Sequence, residues 1–118
     1  MKDVSRASAY ATLLPSLMIA GRELGYAIAV HGSMATDLDL VAIPWTEDAA
    51  SAEHLILHLM AAVDGRLRNA SRRKEDGEWE RMPASIPTDK PHGRRAWTIH
   101  IGCEGMYLDV SVMPRSPG

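Results

Sequence analysis

Two alternating runs near the C-terminus carry the plainest hydrophobic pattern in the chain. In "RRAWTIHIGCEGMYLDVSVMP" apolar and polar positions alternate on both sides of "GCEG", the period of strands with one buried face. A turn at Cys103–Glu104 sets Ile101 against Met106, Ile99 against Leu108 and Trp97 against Val110, so one face is wholly apolar. The other face carries Thr98, His100, Tyr107, Asp109 and Ser111. Earlier in the chain the period is helical. Tyr10, Leu13, Leu14, Leu17 and Leu24 predict a helix over 7–24 that Gly25 ends. Pro15 falls inside it, so the helix either starts close to Pro15 or kinks there. "YAIAVHG" and "LDLVAIP" predict two short buried strands. "TEDAASAEH" predicts a second helix opened by Thr46 or Asp48 as cap. Its apolar stripe is Ile56, Leu59, Met60, Val63 and Leu67, and it fades near Asn69.

Residues 70–93 break the pattern. "SRRKEDGEWERMPASIPTDKPHG" is charged and proline-rich, and a structureless connection of this length is uncommon inside a domain. It predicts either a short strand around Trp79 or a mobile binding loop. The last residues, "PRSPG" (114–118), read as a flexible tail. The elements together predict a single domain over 1–118. Its class is α+β, a mixed sheet of about four strands with two helices packed on one face.

Composition narrows the partners. The chain has 118 residues, 46% hydrophobic and 24% charged, with a formal net charge of -2. No global basic field draws it to nucleic acid or an anionic membrane. Cys103 is the only cysteine, so no intramolecular disulfide can form, and a reducing, cytoplasmic setting is expected. "LLPSLMIAG" is apolar, but Arg22 and Glu23 follow it directly and its spacing is helical, so it reads as a helix and not as a signal peptide. No apolar run reaches the ~20 residues of a membrane span.

The chemistry concentrates in "HGSMATDLDLVAIPW". Residues two apart on a strand point the same way, so Asp37 and Asp39 present their carboxylates together if both are already extended. Two close carboxylates repel unless a proton or a cation neutralises them. A hard divalent cation such as Mg²⁺ does so with oxygen ligands, and Asp109 can supply a third carboxylate from a neighbouring strand. Three carboxylates around one or two metals suit phosphoryl chemistry. Gly32 and Ser33 add close backbone approach and a hydroxyl for phosphate. Taken singly, each feature is also an ordinary turn or a solvent-facing polar position; their order along the chain favours the site.

In that order the chain resembles the nucleotidyltransferase superfamily, the DNA polymerase beta-like fold, and within it the minimal nucleotidyltransferase type. "VHGS", "DLDLVAI" and "YLDVSV" look like its Gly-Ser strand, its Asp-x-Asp strand and its third acidic strand. The likeness covers roughly His31 to Ile43 and Met106 to Met113. It implies that Asp37, Asp39 and Asp109 bind the Mg²⁺ ions and are catalytic. It implies that Gly32 and Ser33 hold the phosphates of an NTP substrate, and that a nucleotide passes to a hydroxyl acceptor on protein or RNA. The spacer between Gly-Ser and Asp-x-Asp is only "MAT", shorter than the family pattern. A second reading is therefore a catalytically inactive module of the same fold with a binding or regulatory role.

Other residues divide between chemistry and surface. "DKPHGRR" brings Lys90, His92, Arg94 and Arg95 before the hairpin, either as nucleotide-binding cations or as a solvated strand entrance. The same stretch carries a third reading, a small nucleic-acid-binding protein, which the net charge opposes. "RLRNASRRK" reads as a helix end with cations at its negative pole. His54 and His58 stand at a ligand spacing, but no third ligand follows at a recognisable interval. His100 shares a face with Asp109, where it either orients that carboxylate, touches phosphate or meets Tyr107 across the strands. No motif surrounds Cys103.

Overall fold

Strand alternation sets the layers of the molecule. The computed structural model describes residues 4–32, 34, 37–64, 71–73, 75–81, 85–101 and 106–115. Its elements run α1 (Val4–Glu23), β1 (Tyr26–His31), β2 (Leu38–Pro44), α2 (Ala52–Asp64), β3 (Ser71–Arg73), β4 (Trp79–Arg81), β5 (Thr88–Asp89), β6 (Arg95–Ile101) and β7 (Met106–Val112). A 3₁₀ turn at Pro91–Gly93 leads into β6. Five strands form one mixed sheet in the order β1-β2-β7-β6-β5, and β3 pairs with β4 in a separate two-stranded sheet. β2 and β7 run parallel, and the other neighbours in the main sheet run antiparallel.

The core sits on one side of the main sheet. Leu38 and Leu40 of β2, Ile99 and Ile101 of β6, and Leu108 and Val110 of β7 are buried together. Tyr10, Leu13 and Leu17 of α1 and Leu55, Ile56, Leu59 and Val63 of α2 close over them. Both helices therefore cover the same face, as the patterning predicts. Each fully buried leucine or isoleucine contributes about 1.5–3 kcal/mol by leaving water. The opposite face has no helix over it among the described residues, and the polar half of each alternating strand stands there.

The β6–β7 hairpin has the expected register, with Ile101 across from Met106, Ile99 from Leu108 and Trp97 from Val110. The turn at Cys103–Glu104 lies outside the described residues. A short strand does form at Trp79, paired with β3. The sheet has five strands where about four were expected. The additional strand, β5, has only two residues, too few to display an alternation.

Helix boundaries differ in physical detail. Pro15 is exposed well inside α1 and not near its start, where its missing N–H leaves one carbonyl of the preceding turn without its helical partner. Neither Thr46 nor Asp48 opens α2. They belong to the preceding turn, in which Ala49 N–H donates to the Thr46 carbonyl at 3.2 Å. Ser51 is the cap, its Oγ accepting the His54 N–H at 3.1 Å. Leu67 and the fading near Asn69 lie outside the described residues. Arg115, expected in a loose tail, donates to the carbonyls of Glu47 and Ala49. Among the described residues no helix is long and apolar enough to cross a membrane.

Candidate metal and phosphate site

Pairing brings three carboxylates together from distant parts of the sequence. Asp39 on β2 lies across from Asp109 on β7 in the parallel register and across from His31 on β1 in the antiparallel one. Thr98 on β6 continues the row beyond Asp109. All four stand on the open face, one step out of phase with the buried leucines. Asp37 precedes β2 and joins Asp39 and Asp109. One carboxylate oxygen from each of the three lies within 4.8 Å of the others, and all three residues are half-buried.

Crowding shows in their acidity. Partial burial, first, and then a hydrogen bond with Asp37 and the charges of Asp37 and Asp109 push the Asp39 carboxyl up to about 6. Asp109 is also raised, by burial first and then by Asp37, while the Lys90 ammonium opposes the shift. The Tyr107 phenol is raised chiefly by the charge of Asp37. A proton held between Asp37 and Asp39 relieves part of this repulsion; a cation would relieve more. Three oxygen donors of this kind fit a hard divalent ion such as Mg²⁺ or Ca²⁺.

Gly32 forms the rim. Its φ of +90° is one that L side chains rarely adopt, and a Cβ added there would stand 3.2 Å from Asp39 Oδ2. A bare backbone is therefore needed directly beside the carboxylate. Met34, two residues on, also has a positive φ, of 62°. Ser33 and the rest of the spacer lie outside the described residues.

The basic residues separate. Arg94 lines a cavity of about 230 Å³ with His31, Asp39, Asp109 and Ser111. Lys90 is close enough to act on Asp109. His92 is exposed in the 3₁₀ turn, with φ 67°. Arg95 does not join the carboxylates. It pairs with Glu53 of α2 at 2.7 Å and stacks over Trp97, 5.0 Å from the ring centroid, because its parity on β6 directs it to the helix side. His58 meets Glu23 at 3.1 Å, and His54 is exposed beside it. His100 stands across from Tyr107.

His31 and Ser111 also line the cavity, and neither is among the site residues expected from the sequence. Both were recoverable from spacing. His31 is the residue that an antiparallel pairing of "YAIAVH" with "LDLVAIP" sets against Asp39, and Ser111 shares the face of Asp109 two residues earlier. Compared with protein-family models, curated proteins and solved structures, the chain matches none.

Proposed function

We propose that this protein is a minimal nucleotidyltransferase-like enzyme, transferring a nucleotide from an NTP to a hydroxyl acceptor with Mg²⁺. The observation that carries this reading is the convergence of Asp37, Asp39 and Asp109 beside a glycine rim and an arginine-lined cavity. Asp37, Asp39 and Asp109 hold the metal, which when bound grips phosphate oxygens and acidifies the attacking hydroxyl. Asp109 orients the acceptor hydroxyl and takes its proton as the oxygen bonds to the α-phosphorus and the α–β phosphoanhydride bond breaks to release pyrophosphate. The Arg94 guanidinium meets phosphate charge from the same cavity, and the backbone at Gly32 approaches the phosphates without a side chain between. The resemblance to the nucleotidyltransferases gives the Ser33 hydroxyl a phosphate-binding role as well.

Calorimetry with Mg²⁺ alone and with Mg²⁺–ATP tests the reading. Binding of both, with Mg²⁺–ATP weakened by Arg94→Ala, supports an enzyme site. Binding of Mg²⁺ without Mg²⁺–ATP favours the second reading, a non-catalytic module, since the short "MAT" spacer leaves little chain to wrap a triphosphate. No response to Mg²⁺ would overturn the metal site and the function together.

A further inference from the structure

The two edges of the main sheet are built differently. β5, at one edge, has two residues, one of them Asp89, and runs into Lys90 and Pro91. Short length, charge and proline are the usual protections against pairing with another chain. β1, at the other edge, has six residues, with no charge or proline from Tyr26 to Val30.

The outward backbone groups of β1 can be assigned. Trp45 N–H donates to the Gly25 carbonyl at 3.0 Å, and the same register runs on to His31 and Asp39. Bonded and non-bonded pairs alternate in an antiparallel ladder. Ala27, Ala29 and His31 therefore bond to β2, while Tyr26, Ile28 and Val30 direct their N–H and C=O groups outward. Pro44, across from Tyr26, has no N–H to offer and fits this phase. α1 packs close at Gly21, where a Cβ would stand 3.3 Å from the Tyr26 carbonyl oxygen. Ile28 packs its side chain on Gly21, while its backbone groups and those of Val30 are the open part of the edge.

We propose that β1 pairs antiparallel with β1 of a second copy of this chain, about a two-fold axis through Ala29. The seam makes two demands on an incoming strand. On the helix side, beside Ile28 and the exposed Val30, it must bring apolar side chains. On the open side it must bring a small one beside Ala29, while Ala27 leaves room for a larger one. β1 meets both demands itself. Centred on Ala29, Ile28 bonds reciprocally with Val30 of the second copy and Val30 with its Ile28. Directly paired residues share a face, so the helices of both copies lie on the same side and a continuous ten-stranded sheet results.

Six residues make a seam of only about 20 Å, so flanking surface has to contribute. Met18 and Trp45, 39% and 70% exposed, line a groove with Arg22, Tyr26, Ala27 and Ile28 at the Tyr26 end of the strand. The pairing brings the second copy's Gly32 to that end. The interface is isologous and closed, which stops growth at a dimer.

Sedimentation of the full chain from micromolar to millimolar concentration is expected to show a monomer–dimer equilibrium. Val30→Lys should weaken it by at least about tenfold, by placing two lysines across the seam, with an unchanged circular dichroism spectrum. Register is read separately in a Cys103→Ser background. Ala29→Cys should cross-link in air, because Ala29 faces its copy in a non-bonded pair with about 4.5 Å between Cα atoms, within disulfide reach. Ala27→Cys, set against His31 of the second copy, should not. A monomer at every concentration, a dimer indifferent to Val30→Lys, or equal cross-linking by both cysteine variants would overturn the proposal.

Discussion

The two faces of the central sheet are made by the same strands and behave as different materials. On β2 and β7, Leu38, Leu40, Leu108 and Val110 point to the helices and are buried. One residue out of phase, Asp39, Asp109 and Ser111 point to the open face and stay half-exposed. The backbone hydrogen bonds serve both sides equally. What differs is the work each side does: the helix face supplies apolar burial, whereas the open face concentrates like charge that opposes folding unless it is neutralised. A strand register that secures the core thereby fixes the geometry of the carboxylates at no further cost in chain order.

Substitutions on the two faces should separate these roles. Leu108→Ala, at a position with no exposure in the middle of the sheet, is expected to cost about 2–5 kcal/mol in denaturant unfolding. Ser111→Ala, on the same strand and the open face, should stay within about 0.5 kcal/mol. Equal losses would break the distinction.

Asp39→Asn should act in the opposite sense. On the proposed reading, nucleotide transfer falls roughly a hundredfold to a thousandfold, because one charge that holds the cation is gone. Without metal, the melting temperature should hold level or rise, since a like-charge repulsion is relieved. Labelled NTP incubated with Mg²⁺, followed by a search for label on protein or RNA, reads the first effect, and calorimetric melting reads the second. An Asn variant that melts markedly earlier would make Asp39 a structural residue.

Gly32→Ala tests the rim. Its left-handed backbone carries a penalty of about 1–2 kcal/mol for an L side chain, and the added methyl crowds Asp39 Oδ2. Both stability and Mg²⁺ affinity should fall, whereas Ala29→Ser on the adjoining strand should move neither by more than about 0.5 kcal/mol.

The crowding of the open face also predicts a dependence on pH. Asp39 is raised from 3.8 to about 6 in the folded protein, so between these values the folded state holds more protons than the unfolded chain. Stability then falls as pH rises through that window, and the raised Asp109 adds in the same direction. Metal-free protein should melt lower at neutral pH than at pH near 5. Asp39→Asn should reduce the difference, and saturating Mg²⁺ should reduce it too if the cation occupies the carboxylates. A metal-free melting temperature that climbs across the window would contradict the crowding.

Legibility followed the range of the interactions. The hairpin of β6 and β7 was readable to the residue, because alternation on both sides of one short turn permits a single register that keeps Trp97, Ile99 and Ile101 on the same side. The second helix was readable as an element but not at its start. Thr46, Asp48 and Ser51 are all competent caps, and only the turn that Trp45 and Thr46 make against Gly25 decides among them. β5 was unreadable, since two residues have no period.

The sequence by itself determined the local parities: that Asp39 is out of phase with Leu38 and Leu40, that Asp109 stands on the polar side of its strand, and that Trp97 stands opposite it. Those are properties of a two-residue repeat and need no partner. Tertiary structure decided which strands lie side by side. The parallel pairing of β2 with β7 sets Asp39 against Asp109 and leaves β1 as an open edge. No spacing encodes that choice, because β2 and β7 are separated by more than sixty residues and are joined only by the common need to bury one apolar face beneath two helices.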